Sequence, residues 1–157
     1  MNIKDFMIAD AITATKTMSI KGLLELLVKN RIGGVPVVDK DNNLQGMVSD
    51  GDVIRYLQPK GRTVYDMYAL VLVSEKENIM HKLDYAIHHE VEKVMSNKDI
   101  FTVHPDDKLE NALAIFSKHH FKKIPVVDDD YKVVGVVSRG DVIRYISTTL
   151  ISKSDGD

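Results

Sequence analysis

The sequence predicts an α/β protein built from two copies of one small unit, and three observations carry that expectation. One stretch occurs twice, as PVVDKDNNLQGMVSDGDVIRYL from Pro36 and as PVVDDDYKVVGVVSRGDVIRYI from Pro125, in register without a gap because 125 − 36 and 141 − 52 both equal 89. Ahead of each copy runs a helical apolar stripe, Ile20, Leu23, Leu24 and Leu27, matched by Leu109, Ala112, Leu113 and Phe116. Within each copy, two short apolar runs flank a turn dense in Asp and Asn, the pattern of a hairpin. A unit of about 55 residues is marginal alone, so the two copies are expected to share a core.

Taken in order, Ile3 to Met7 is a short lead-in, and Lys93-Val94-Met95 holds the comparable place before the second copy. Asp10 to Thr15 and Asp99 to His104 read as a short first strand or extended segment, with Thr13 matching Thr102. The first helix follows; in the second copy Pro105-Asp106-Asp107 reads as its start, with Pro early and acids in the first turn. Val35 to Val38 and Ile124 to Val127 are buried strands whose prolines sit near the start, where a missing donor is tolerated. Leu44 to Val48 and Val133 to Val137 complete the hairpins, and helices Asp52 to Leu57 and Asp141 to Ile146 close the units. Each copy is therefore strand, helix, strand, strand, helix.

The expected organisation is repeat 1 over 7–62, an insert over 63–94, repeat 2 over 95–152 and a disordered tail over 153–157. Within the insert, Val64 to Val73 has no clear periodicity. Glu75 to Val94 reads as a helix with Ile79, Leu83, Ala86 and Ile87 on one side.

Composition narrows the function. A formal charge of −2 gives no bulk attraction to nucleic acid or anionic lipid, and the absence of cysteine excludes disulfides and thiolate metal sites. The first residues lack a signal-peptide pattern and no apolar run approaches a membrane span, so a cytoplasmic protein is expected.

The Gly46-Met-Val-Ser49-Asp-Gly-Asp52 and Gly135-Val-Val-Ser138-Arg-Gly-Asp141 segments, each following an apolar-Pro-Val-Val-Asp strand, resemble the motif of the cystathionine-β-synthase-type (CBS) domain. Two copies in register resemble a CBS pair, or Bateman module. The resemblance implies an adenosine-containing ligand in clefts between the repeats. Asp52 and Asp141 would bind ribose hydroxyls, with Ser49 and Ser138 near ribose or phosphate. Thr13, Thr102, Gly34-Val35-Pro36 and Lys123-Ile124-Pro125 would line the base and phosphate sides. The residue chemistry agrees, since a carboxylate accepts from a vicinal diol, and a strand-to-helix turn offers unpaired backbone N–H groups to an anion. The same Ser-x-x-Asp also resembles a helix capping box, although an Asp at the third position reaches back less well than Glu or Gln.

The sites differ on paper. Repeat 2 has Lys122 and Lys123 where repeat 1 has Gly33 and Gly34, and Arg139 where repeat 1 has Asp50. A triphosphate would be repelled by Asp50 and favoured by lysines, so the Ser138–Asp141 site is expected to be tighter for phosphorylated ligands. His81, His88 and His89 do not converge as metal ligands, and no nucleophile stands in order with a base. The expected function is therefore non-catalytic sensing of AMP, ADP or ATP with no required cofactor, by a homodimer acting on a separate effector protein through the insert. S-adenosylmethionine or a cyclic dinucleotide is the alternative ligand. A structural or adaptor homodimer with vestigial clefts is the alternative role.

Overall fold

The computed structural model describes residues 1–58 and 79–154. Repeat 1 contains α1 (Ile20–Asn30), β1 (Gly34–Val38), β2 (Leu44–Ser49) and α2 (Asp50–Leu57). Repeat 2 contains α3 (Leu109–Lys118), β3 (Lys123–Val127), β4 (Val133–Ser138) and α4 (Arg139–Tyr145), which runs on as a π-helical stretch, Ile146–Ile151. The α/β class and the twofold repeat are those expected from sequence.

Each hairpin is antiparallel, and the two registers correspond residue for residue, from Gly34 opposite Ser49 and Lys123 opposite Ser138 to Val37 opposite Gly46 and Val126 opposite Gly135. The expected first strand is reduced to one parallel bridge per repeat. Ala14 bridges Val37, with Ala14 N donating to Pro36 O, and Val103 bridges Val126, with Val103 N donating to Pro125 O. Thus each proline, having no N–H, still supplies the ladder through its carbonyl.

The lead-ins are exchanged between the repeats. Residues 1–8 pack on repeat 2: Ile3 is fully buried among Val103, Ala112, Phe116 and Val137, and Phe6 and Met7 lie against the same cluster. Residues 89–96 pack on repeat 1: Val91 is fully buried among Ile20, Leu23, Val37 and Val53, with Met95 beside them. Burying one such side chain contributes about 1.5–3 kcal/mol. Backbone bonds fix the register of the exchange. Ile8 and Val136 exchange N–H···O bonds of 2.9 and 3.0 Å, and Met47 and Ser96 exchange bonds of 2.9 and 2.8 Å. Each two-stranded hairpin thus gains a bridge from its own chain on one edge and from the other repeat's lead-in on the other.

This crossing explains the motif glycines. A Cβ on Gly135 would stand 2.8 Å from Ile8 O, and one on Gly46 would drive into Ser96 O. Both obstacles are backbone, which cannot swing aside. A third, smaller cluster joins the repeats at the hairpin ends, where Val38, Leu44, Val127 and Val133 are buried together. Beside it, Leu44 N donates to Tyr131 O and Val133 N to Asn42 O, both at 3.1 Å.

Several element ends differ from the sequence reading. The helix expected over 75–94 is helical from 79 to 86 and then turns, with a 3₁₀ turn at Val91–Lys93; residues 75–78 lie outside the described set. It stops because the following carbonyls serve another partner, Ile87 O and His89 O accepting from Lys21 N and Ile20 N of α1. Pro105 to Asp107 form a turn before α3 rather than its start, since Pro105 O and Asp107 O accept from the N-terminal lead-in, at Lys4 N and Ile3 N. Of the tail expected to be disordered, Lys153 and Ser154 belong to a helical turn, Ser152–Ser154. The Val64–Val73 stretch lies outside the described residues.

Gly46→Ala and Gly135→Ala should each cost at least about 2 kcal/mol in urea-unfolding stability, as expected when a packed backbone must move. Gly51→Ala, whose Cβ would come closest to the far end of the Arg55 side chain, at 3.2 Å, and otherwise only to Ser49 Oγ at an ordinary 3.6 Å, should change stability by less than about 1 kcal/mol. Equal effects at all three positions would contradict the crossing as the reason for the motif glycines.

Candidate ligand cleft

Between the repeats lies a cleft of about 420 Å³, a volume within the range of small-molecule sites. Its floor is the end of β2 and the start of α2, which bring Ser49, Asp50 and Asp52 to one edge. The start of β3 and the residue before it supply Lys122, Lys123 and Pro125 from the opposite repeat. The incoming segment of repeat 2 adds Ile100 and Phe101, and Phe121 lies next to them with its ring centroid 5.5 Å from that of Phe101. One wall is therefore apolar and aromatic, and the other charged.

The Ser-x-x-Asp turn is a complete capping box in both repeats. Ser49 N donates to Asp52 Oδ2 at 2.9 Å while Ser49 Oγ accepts from Asp52 N at 3.3 Å. Ser138 N donates to Asp141 Oδ2 at 2.8 Å and Ser138 Oγ accepts from Asp141 N at 3.1 Å. The aspartates thus reach back fully, contrary to the expectation that the shorter side chain would do so poorly; the extended Ser backbone brings its N–H close enough. Each carboxylate also accepts from an arginine one turn on, Asp52 from Arg55 at 2.8 Å and Asp141 from Arg144 at 2.7 Å, in both cases on Oδ1. Capping consumes Oδ2, and Oδ1 keeps acceptor capacity beyond the arginine. Capping and ligand binding are compatible roles for the same residue.

The expectation that this turn offers unpaired N–H groups fails at α2. Asp50 N donates to Gly33 O at 2.8 Å, Gly51 N to Asp50 Oδ1 at 2.7 Å and Asp52 N to Ser49 Oγ. The Asp50 carboxylate takes only the Gly51 N–H; Gly33 O and Ser49 Oγ take the other two.

Of the residues singled out from sequence, Gly34, Ser49, Asp52, Lys122, Lys123 and Pro125 line this cleft. Thr13, Pro36, Thr102, Ser138, Arg139 and Asp141 do not, and Val35 and Ile124 are core residues, each 1% exposed. The lysines were expected to serve the Ser138–Asp141 site. Lys122 Nζ instead lies 3.2 Å from Asp50 Oδ1, whereas Lys123 Nζ donates to Gly34 O at 3.2 Å and still feels the Asp141 carboxylate, so it stands between the two turns. The hairpins face each other, so the start of β3 delivers its side chains to the opposite repeat. Arg139 is not a free cation either. It donates to Phe121 O and His119 O and lies over the Phe116 ring, 5.4 Å from its centroid. Sequence reasoning missed Phe101 and Phe121, although they adjoin Thr102 and Lys122; a search for aromatics beside the motif residues would have found them.

Lys123 is partly buried, and this loss of hydration lowers its pKa below the ordinary lysine value, with Asp141 pulling weakly the other way. The charged form is thus held at a cost in the ligand-free protein. Below its lowered pKa both folded and unfolded chains carry the proton and the cost is full. As pH rises through that pKa towards 10.5, the folded chain sheds the proton first and the cost is relieved. Lys123→Met should therefore be as stable as the parent or more so at neutral pH, with its advantage shrinking towards pH 10.5. Parallel urea titrations across that range check it; an advantage that grows with pH would contradict the assignment.

A twofold repeat enclosing a cleft with one aromatic and one charged wall is the architecture of a paired module. The CBS domain model matches residues 3–59 and again 91–148, and the chain belongs to the CBS domain family. It is 30% identical over 155 residues to the uncharacterized protein MJ1426 of Methanocaldococcus jannaschii, covering 93% of this chain and 91% of that one. It is 35% identical over 144 residues to the chloroplastic CBS domain-containing protein CBSX1 of Arabidopsis thaliana, covering 90% of this chain but spanning 60% of the relative. Among solved structures, CBSX2 in complex with AMP superposes with a TM-score of 0.72 at 26% identity, over 94% of this chain and 97% of that one. The CBS domain pair of MJ0100 in complex with 5′-methylthioadenosine and S-adenosyl-L-methionine superposes with a TM-score of 0.68 at 25% identity, over 93% and 99%. The chain is thus similar to CBS pairs that hold adenosine-containing molecules.

Proposed function

We propose that this CBS pair is a non-catalytic sensor that binds an adenine nucleotide between its repeats and acts on a separate partner protein. The observation that carries the reading is the order of chemistry across the cleft. An aromatic and aliphatic wall (Ile100, Phe101, Phe121), a carboxylate with remaining acceptor capacity (Asp52) and a poorly hydrated ammonium (Lys123) suit a base, a ribose diol and a phosphate. The AMP held by CBSX2 and the adenosine compounds held by the MJ0100 pair support the same ligand class. Because Lys122 and Lys123 line the Ser49–Asp52 cleft, that cleft rather than the Ser138–Asp141 one takes the phosphorylated ligand in this reading. A bound nucleotide would bridge the two repeats and shift their arrangement to the extent that it binds one arrangement more tightly.

A thermal-shift titration with AMP, ADP, ATP, S-adenosylmethionine and cyclic di-AMP tests this. A ligand at a hundred times its dissociation constant adds about 2.7 kcal/mol, a shift of about 5–10 °C for a chain of this size. The shift with an adenine nucleotide should vanish in Asp52→Ala and persist in Asp141→Ala. Retention in Asp52→Ala with loss in Asp141→Ala would reverse the choice of cleft, and no shift with any compound would favour the scaffold role.

The proposed assembly is a homodimer. Ile54 on α2 and Ile143 on α4, equivalent positions at the 89-residue offset, are 66% and 64% exposed, and Val28 on α1 is 77% exposed. Apolar side chains repeated at equivalent places suit a symmetric, self-complementary contact. Sedimentation equilibrium should give twice the chain mass, and Ile54→Glu combined with Ile143→Glu should give the single chain mass. A monomer in the unsubstituted protein would contradict the assembly.

A further inference from the structure

We propose that Asp50 is a specificity-determining residue that restricts the cleft to adenine nucleotides carrying a single phosphate; this rests on the nucleotide reading above. Among the described residues, Asp50, Asp52 and Asp99 line the cleft together with Arg55, Lys122 and Lys123, so the carboxylates and strong cations balance. Most of these charges are already committed. Arg55 holds Asp52 at 2.8 Å, and Lys122 holds Asp50 at 3.2 Å. Among the described residues Lys123 makes no ion pair at that range, its ammonium resting on Gly34 O. One cation is therefore available to an incoming anion, enough for one phosphate.

A second or third phosphate needs Lys122, and Asp50 stands in the way twice. Its Oδ1 accepts from both Lys122 Nζ and Gly51 N, which occupies the ammonium and the helix N–H that a longer phosphate chain would use. Its negative charge also opposes any phosphate brought near Lys122. The Lys122–Asp50 pair is solvent-exposed on both sides, 68% and 46%, so it is weak enough for a ligand to open. What sets the selectivity is the repulsion that remains once it has opened. The equivalent position in repeat 2 is Arg139, engaged with the backbone of His119 and Phe121, so the restriction belongs to one cleft only.

The test is calorimetric titration of AMP, ADP and ATP, without divalent cations and at low salt, into the unsubstituted protein and Asp50→Asn. Asn keeps an acceptor for Gly51 N; Asp50→Ser, with a hydroxyl in the same place, is read alongside in case the first variant folds poorly. Unsubstituted protein should bind AMP more tightly than ATP. Asp50→Asn should raise the ATP-to-AMP affinity ratio about tenfold, the order expected for removing one like charge near a partly solvated site. The gain should shrink at high salt. Tight AMP binding with an unchanged ratio in both variants, or an unsubstituted protein that prefers ATP, overturns the role of Asp50 and leaves the nucleotide reading standing. Failure of all three nucleotides to bind any of the proteins overturns both.

Discussion

The structure depends on one close approach made twice: the lead-in of each repeat crosses the second strand of the other at a glycine. Without the exchange, each unit would present a two-stranded hairpin with an open edge and a core lacking Ile3 or Val91. Isolated hairpins of that size are marginal in water, and units of this length bury too little surface to stand alone. The exchange makes each repeat's core conditional on the other. It also spends the backbone groups of Ile8, Ser96, Met47 and Val136 on bonds between repeats rather than within them.

The cleft follows from that arrangement. Since the second lead-in must travel from the core of repeat 1 to the sheet of repeat 2, its middle, at Asp99 to Phe101, passes along the seam and becomes a wall. The facing hairpins then set the charges, placing the start of β3, with Lys123 and the preceding Lys122, opposite the Ser49–Asp52 turn. The result is a cleft whose two sides belong to different repeats, so any ligand filling it would be coupled to their relative position by contact alone. Lys123 is a cation held where its hydration is incomplete, which lowers its pKa.

Much of the fold was legible because duplication is a non-local signal carried in plain sequence. The 89-residue offset located the hairpins and the four main helices, and apolar periodicity identified α1 and α3. What escaped were features decided by a distant partner. Pro105 to Asp107 look like a helix start, yet their carbonyls serve the N-terminal lead-in; the helix ending at residue 86 gives way to carbonyls that serve α1. The site was legible at Ser49, Asp52, Gly34 and Pro125, where the motif names the residue. It was not legible at Lys122 and Lys123, because one sequence register is compatible with delivery to either cleft until the facing of the hairpins is known. Phe101 and Phe121 escaped because they belong to no motif and meet only in three dimensions.

The most direct test of the account is a crystal structure of the protein grown with AMP. The account predicts the nucleotide between the repeats, its ribose hydroxyls on Asp52 Oδ1, its phosphate at Lys123 and its base against Phe101. A nucleotide found only beside Ser138 and Asp141, or bound outside the seam between the repeats, would contradict it.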